Sequence, residues 1–411
     1  MKSVMKRTNP TRRAAAALIG GLALALLTGC TAGALDVIAG KPGSPEETIR
    51  VTPEDGAKGV RPDGEVEVRL PSGRLERVAV KQIEGGRPVD IPGVISEDGL
   101  RWTPDEDARL ELAAKYSVDA VALDAHGRRT ARHTTFTTYV PEQRFIGYVK
   151  PENRSTVGTG MIVSFSFNRA IEDRAAVERA IRVTAVPPVE VVGHWFGGKR
   201  LDFRPRAYWK PGTKVTVDMR LRDIEATPGV YGIQHKRISF AVGRSQISRV
   251  DARAHTMEVR RDGALVATVP VTAGAPKTAT YNGKMVVTEM YDVTRMNGAT
   301  VGFTDDDGKG EYDIKDVPHA IRLTASGTFL HGNYWAAADV FGADNVSHGC
   351  VGLRDEQGGS PDAPAGWFFD RTLIGDVVEV VNSKDRQVAP DNGLGGWNLD
   401  WKAWKEGSAL R

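Results

Sequence analysis

Apolar and polar residues alternate with a period of two in short runs along most of this chain. Val66-Glu67-Val68-Arg69-Leu70, Tyr116-Ser117-Val118-Asp119-Ala120-Val121 and Ile162-Val163-Ser164-Phe165-Ser166-Phe167 follow this pattern, which is that of a half-buried strand. Further on, Met257-Glu258-Val259-Arg260 and Leu265-Val266-Ala267-Thr268-Val269 flank Asp262-Gly263, a hairpin signal. Strands are also expected at residues 285–288, 320–323 and 376–381, and at Thr328-Phe329-Leu330, which runs into His331. One short helix is expected over 364–371, with Asp362 or Ala363 near its start. The fold class is therefore mainly β. Abundant Val and Thr, 45 Gly and 22 Pro agree with it.

The first half of the chain repeats itself. Val51-Thr52-Pro53 echoes Val149-Lys150-Pro151, and Leu100-Arg101-Trp102-Thr103-Pro104 echoes Leu201-Asp202-Phe203-Arg204-Pro205. Ser117-Val118-Asp119 echoes Thr216-Val217-Asp218, and Thr135-Phe136-Thr137 echoes Ser239-Phe240-Ala241. The unit is about a hundred residues, the size of an immunoglobulin-like sandwich. We read two tandem immunoglobulin-like β-sandwiches, at 47–140 and 141–243. Neither has a cysteine pair, so each must be held by its core. His126, His133, His194 and His235 are scattered through them and read as surface or structural residues. A β-rich domain at 244–382 follows. A short Trp-rich extension at 383–411 ends the chain. Its Trp397, Trp401 and Trp404 are spaced four and three apart, one face at helical spacing, and are expected to pack back on the 244–382 domain.

The N-terminus changes the picture. Lys2, Lys6, Arg7, Arg12 and Arg13 precede an apolar run from Ala14 to Leu27, too short for a comfortable membrane span. The run ends in Leu27-Thr28-Gly29-Cys30, which resembles a bacterial lipobox. That implies a signal peptide over 1–30, a lipid on Cys30, and a small polar tether over 31–46. The expected location is the outer face of the bacterial cell membrane, facing the cell wall. Thr11-Arg12-Arg13 leaves the export route open between general secretion and twin-arginine export. A net charge of +3, from 55 basic and 52 acidic residues, argues against a nucleic-acid partner.

With Cys30 lipidated, Cys350 is the other of only two cysteines and a lone thiol in an exported protein. It lies in Ser347-His348-Gly349-Cys350, two positions after His348 and 350 − 331 = 19 after His331. A free thiol of pKa about 8.5 carries little thiolate at neutral pH, so a nucleophilic cysteine needs a base or cation nearby. On a strand, His348 and Cys350 would face the same side. Gly349 would admit a substrate backbone and let the Gly349 and Cys350 N–H groups converge on an oxyanion. The Gly332 carbonyl can accept from one nitrogen of His331 and fix its tautomer. The residues alone leave open which histidine is the base.

His331-Gly332 followed by Ser347-His348-Gly349-Cys350-Val351 resembles the active-site signature of the L,D-transpeptidases with a YkuD-type catalytic domain. Thr278 to Lys284, Gly366-Trp367-Phe368-Phe369-Asp370, Gly375-Asp376-Val377-Val378 and the Trp-rich tail extend the likeness. The lipobox and the two immunoglobulin-like modules are similar to actinobacterial members. The resemblance implies a fold of two such sandwiches, a β-rich catalytic domain and the extension. It implies His331 as general base for Cys350, with His348 lining the site and supporting the thiolate. Tyr334, Trp335 and Arg354 become candidate substrate contacts, and Ser347, Gly349 and Gly332 candidate oxyanion or orienting groups. The implied substrate is a peptidoglycan tetrapeptide stem. Cys350 is acylated at the third-position diamino acid, D-Ala leaves, and the side-chain amine of a second stem makes a direct crosslink. No metal or cofactor is implied. Acylation by carbapenem-type β-lactams and action as a monomer are expected. One departure stands out: Gly352 replaces the Asn or Arg that many members carry two residues after the cysteine, with Arg354 two further on.

Other readings fit less well. Papain-like and NlpC-type peptidases place Cys before His, and sortases need a later strand Arg, whereas Arg371 falls in the expected helix. A non-catalytic, peptidoglycan-binding repeat lipoprotein would leave Cys350 inert. An L,D-carboxypeptidase would share the acyl-enzyme. Asp305-Asp306-Asp307-Gly308 lacks calcium-loop spacing and reads as a solvated turn. His255 and His319 read as peripheral, although His319 is close enough in sequence to line the cleft.

Overall fold

A computed structural model of the chain describes residues 49–83, 89–124, 127–302, 304, 307 and 309–411. Cys30, the tether and His126 lie outside the described residues, as do Asp305, Asp306 and Gly308. The chain is mainly β. In the first module one four-stranded sheet runs in the order Arg50–Thr52, Glu67–Arg69, Arg101–Pro104, Gly93–Ile95. The second runs Val89–Ile91, Arg74–Gln82, Lys115–Leu123, Arg129–Thr137. Val68, Trp102, Tyr116, Val118 and Phe136 fill the space between them. The second module repeats this plan. Gly147–Lys150, Val163–Phe167, Arg200–Pro205 and Val191–Phe196 make one sheet. Ile181–Val186, Lys214–Arg220, His235–Val242 and Thr156–Val157 make the other. The sequence echo is thus a structural one: Trp102 and Phe203 are buried on matching strands, as are Val118 and Val217.

The remaining domain is built on one nine-stranded sheet. Its order is Gly283–Val286, Val377–Val381, Gln246–Asp251, Thr256–Arg261, Ala264–Thr272, Val351–Arg354, Phe329–Asn333, Asp313–Arg322, Glu289–Asn297. Asp262 and Gly263 both take positive φ, +48° and +87°, as a hairpin turn of the primed type requires. Two neighbouring pairs are parallel: Gln246–Asp251 with Val377–Val381, and Phe329–Asn333 with Val351–Arg354. The second pair carries the site. Parallel strands need a long crossover, here residues 334–350. Leu330, Val351 and Leu353 face a core shared with Val271 and Phe368 of the helix Pro364–Phe369.

The C-terminal extension packs on both neighbours. Val388 joins the catalytic core, and Asn282 donates to the Ser383 and Asp385 carbonyls at 3.0 and 2.6 Å, whereas the tryptophans, expected on the catalytic domain, turn to the second sandwich. Trp397 and Leu394 join the core of that module, together with Val286 of the catalytic sheet. Trp404 is fully buried and donates its indole N–H to the Val192 carbonyl at 2.9 Å. The catalytic domain is held by a second contact, Asn398, which accepts from the Lys284 N–H and donates to the Lys284 carbonyl, both at 2.8 Å. The three tryptophans do gather, but not on one helix. Trp397 sits in the turn Gly395–Asn398 and the others in the helix Trp401–Glu406, capped by Asp400. They surround the Arg204 guanidinium at 4.6, 5.4 and 4.3 Å from their ring centroids. The extension therefore ties the second module to the catalytic domain. The first module keeps a core of its own and meets the second through Arg61–Glu225 at 3.2 Å and Tyr139 against Tyr231 at 5.8 Å.

Candidate active site

The parallel register sets the site. His331 pairs with Gly352 and Leu330 with Val351. Paired residues on adjacent strands point to one face, and that face alternates along each strand. The apolar Leu330, Val351 and Leu353 are buried on one face. Phe329 and His331 therefore share the other with Cys350 and Gly352. A glycine at 352 leaves no side chain between the imidazole of one strand and the thiol of the next. It also answers the departure noted in the sequence. A Cβ on Gly352 would come within 2.9 Å of Thr272 Cγ2 and 3.2 Å of Asn333 Nδ2. The space that a polar residue would occupy is filled by Thr272 and by the Asn333 amide. Arg354 does not take its place. It is exposed at the strand end, four residues beyond Cys350 and hence roughly 13 Å along the strand, and it does not line the cavity beside the sulfur.

His331 is only 5% exposed. Its Nδ1 lies 2.9 Å from the Gly332 carbonyl oxygen. A carbonyl only accepts, so Nδ1 carries the proton and Nε2 is left as the acceptor. Burial lowers the His331 pKa from its ordinary value, partly offset by the Gly332 hydrogen bond. The ring is neutral at physiological pH, as a proton acceptor must be. Trp335 stacks on it, with centroids 5.5 Å apart and planes 11° apart. Trp335 thus covers the imidazole. Tyr334 is turned away and donates its hydroxyl to Asp316 at 2.8 Å.

Cys350 Sγ accepts from the Phe329 N–H at 3.4 Å and donates toward the Gly327 carbonyl at 3.6 Å. Burial pushes the thiol up to about 11, against a smaller opposing effect of the Phe329 N–H. The resting site therefore holds a neutral thiol and a neutral imidazole, so a nucleophile at this position would have to lose its proton in the course of attack.

The Ser347–Gly349 stretch differs from the strand expected there. The strand begins at Val351, and Gly349 has φ +112°, a region open to glycine. Alternation is broken, so His348 does not share a strand face with Cys350. Its Nε2 meets Glu311 Oε2 at 3.2 Å, and its ring packs on Tyr312 at 5.0 Å. The Gly349 N–H donates to Ser347 Oγ at 3.2 Å, which removes one of the two expected oxyanion donors. Ser347 in turn donates to the Cys350 carbonyl at 2.6 Å and is held by Thr278 Oγ1 and the Ala275 N–H, both bonded to its carbonyl at 2.8 Å. Ser347 is thus a brace for the turn that presents the cysteine.

Beside Cys350 opens a cavity of about 170 Å³, lined by Tyr291, Arg295, Asn297, Tyr312, Arg322 and Phe329 among others. Apart from Phe329, sequence reasoning missed these residues, which come from the strands Glu289–Asn297 and Asp313–Arg322 or, for Tyr312, from the position just before the latter, and carry no local motif. Tyr312 stands out: burial first, then the nearby Cys350 and Glu311, push its hydroxyl up to about 12, so it stays a donor at neutral pH. Arg322 fixes the turn under the sulfur through the Thr324 and Ala325 carbonyls, each at 3.1 Å, while Glu289 holds it at 3.2 Å.

Comparison with known proteins bears on the family of each part of the chain. The family described as bacterial Ig domain matches residues 57–225, a span that enters both sandwiches, and the L,D-transpeptidase catalytic domain matches 245–380. L,D-transpeptidase 2 of Mycobacterium tuberculosis (strain CDC 1551 / Oshkosh) is 34% identical over 365 residues, covering 89% of this chain and 85% of that protein. L,D-transpeptidase 5 of Mycobacterium tuberculosis (strain ATCC 25618 / H37Rv) is 30% identical over 398 residues, covering 95% and 83%. Among solved structures, LD transpeptidase LdtMt1 in complex with imipenem is 30% identical, with a TM-score of 0.47 over 59% of this chain and all of that one. With a likeness of this extent to L,D-transpeptidase 2, reaching through both sandwiches and the catalytic domain, the chain belongs to the L,D-transpeptidase family, acyltransferases of peptidoglycan crosslinking.

Proposed function

We propose that the acyl transfer runs through Cys350, with His331 as general base. The observation that carries this reading is the Nδ1–Gly332 carbonyl bond at 2.9 Å, which leaves Nε2 unprotonated on the strand face shared with the thiol. As Cys350 Sγ attacks the carbonyl of the third-position diamino acid of a tetrapeptide stem, its proton passes to His331 Nε2. The carbonyl electrons move to oxygen, where the Cys350 N–H can donate to it. When the intermediate collapses, the C–N bond to D-Ala breaks, and the His331 proton goes to the leaving amine. The thioester then meets the side-chain amine of a second stem. His331 takes the amine proton, an amide forms, and the thiol is restored. The product is a direct crosslink between two diamino acids. His348, held by Glu311 and Tyr312, shapes the turn that presents Cys350.

The same thiol opens a β-lactam ring by attack on its carbonyl, and a carbapenem leaves a covalent adduct. The bound imipenem of a related enzyme supports that expectation for ligand class. We further propose that Cys30 carries a lipid, and that a monomer faces the wall from the outer face of the cell membrane, with the sandwiches setting its reach.

The test is intact-mass measurement after meropenem, paired with turnover of a disaccharide-tetrapeptide. Wild type gains one adduct and forms dimers. Cys350→Ala, folded, does neither. Turnover by the alanine variant, or an unmodified wild type, overturns the reading.

A further inference from the structure

Behind the Gly332 carbonyl that orients His331 lies a buried ionisable pair with no part in the chemistry above. His319 Nδ1 and Asp355 Oδ2 are 2.7 Å apart, with side chains 14% and 0% exposed. Asp355 Oδ1 accepts two backbone N–H groups, from Glu356 at 2.8 Å and Ser360 at 3.0 Å. Both oxygens are therefore bonded, and the carboxylate is fixed in orientation. It also abuts Gly332. A Cβ built there would collide with Asp355 Oδ2, and with Asp355 Cβ and Cγ at 2.9 Å each. Gly332 pairs with Leu353, two residues before Asp355, so the carboxylate closes the core side of the peptide whose oxygen holds the catalytic imidazole.

His319 reinforces the point. It has φ +49° inside the strand Asp313–Arg322, a left-handed conformation uncommon for a residue of its size. Such strain persists only where surroundings over-determine it, and it clusters at functional sites. Here the Phe369 ring packs against the imidazole at 5.2 Å, and a Cβ on Gly359 would stand 3.0 Å from its Cε1. The sequence carries a glycine at each place where this pair needs room.

We propose that Asp355, locked by His319, is a positioning residue for His331. It pins the Gly332 peptide, and the Gly332 carbonyl then selects the Nδ1–H tautomer that leaves Nε2 ready for the Cys350 proton. In hydrolases with a third triad member, a carboxylate touches the base directly. In this chain the carboxylate acts one peptide removed. The inference rests on His331 being the base.

The experiment uses the full exported chain and three variants: Asp355→Asn, His319→Asn and His331→Ala. Asparagine at 355 keeps the shape of the carboxylate. Asparagine at 319 tolerates the left-handed backbone and removes the imidazole. Two readouts are taken: the rate of acylation by meropenem from intact mass, and the ring ¹⁵N spectrum of His331, which reports its tautomer. Asp355→Asn is expected to slow acylation by roughly ten- to hundredfold and to turn the Nδ1–H signal into a mixture of tautomers. His319→Asn moves both in the same direction by a smaller factor, because Asp355 keeps its two backbone donors. If Asp355→Asn does not fold, His319→Asn carries the test. Folded variants with unchanged tautomer and rates within about twofold of wild type, while His331→Ala loses acylation, overturn the positioning role alone. Wild-type acylation by His331→Ala overturns the base reading itself, and the inference with it.

Discussion

Burial strips water from ionisable groups in two regions of this molecule, with opposite results. At the junction of the second sandwich and the C-terminal extension, Arg204 is 2% exposed, and burial pulls its guanidinium down to about 10. It remains charged at neutral pH. Three indole faces replace the lost water, together with the carbonyls of Pro205 at 3.1 Å and Leu399 at 2.9 Å. Among the described residues, Cys350 has no such shell. The sulfur has one N–H and one carbonyl at long range, and the thiol and the imidazole of His331 are both driven neutral. A desolvated charge that is surrounded holds two domains together. A desolvated pair left neutral is a candidate for proton transfer. The contrast predicts that damage to the first region lowers stability, and damage to the second lowers reactivity.

The largest expected effect breaks the junction. Trp404→Ala removes a fully buried indole, its bond to Val192 and one face of the Arg204 cage. The loss should be about 3–5 kcal/mol, read from denaturant unfolding. Acylation of the protein that remains folded should stay within about twofold of wild type, because independent sites do not couple. A parallel fall in acylation would show that the two regions are one.

The next sharpens the site. With burial raising its thiol to about 11, Cys350 carries roughly a few hundredfold less thiolate at neutral pH than an ordinary thiol near 8.5. Alkylation by iodoacetamide should be slow by that factor and should keep rising with pH past 10. A plateau near 8.5 would reveal a stabilised thiolate and remove the contrast with Arg204.

A smaller effect is expected for Arg204→Met. Methionine keeps apolar contact with the three rings and relieves the desolvated charge, including an Nε without a hydrogen-bond partner among the described residues. It loses the cation–aromatic attraction and leaves two carbonyls unpaired. These terms oppose one another, and the net loss should be about 1–2 kcal/mol. A loss as large as that of Trp404→Ala would mean that charge, not packing, holds the junction.

What could be read from the sequence follows the same division. Ser347-His348-Gly349-Cys350 and His331-Gly332 are local strings whose residue types carry their chemistry. The repeat and the hairpin at Asp262-Gly263 are local too. The conformation between them was not legible. Strand alternation was assumed through Gly349, whose positive φ instead sends His348 to Glu311 and spends one oxyanion donor on Ser347. Gly352 read as a missing contact because Thr272 and Asn333, which fill its space, come from other strands. Arg204 and its three tryptophans are separated by nearly two hundred residues, and no pattern in either stretch names the other. The tryptophans accordingly meet the second sandwich, while Val388 of the same tail joins the catalytic core. His319 and Asp355 meet only through sheet register.

The smallest effect tests the sign of desolvation at His331. Burial is the dominant influence and lowers its pKa below 6.5; the Gly332 carbonyl opposes it. A base is lost when it protonates, so acylation by meropenem should fall on the acid side with a midpoint below 6.5. The protein should keep its base at pH values where an exposed histidine is already half charged. Trp335 stacks over the ring and contributes to its exclusion from water. Trp335→Ala should therefore move the midpoint up toward 6.5, with the rate at pH 8 little changed. A wild-type midpoint above 6.5 would mean that a nearby negative charge outweighs burial. The site would then resemble the junction, where a desolvated cation is kept by its surroundings, and the division between the two regions would not hold.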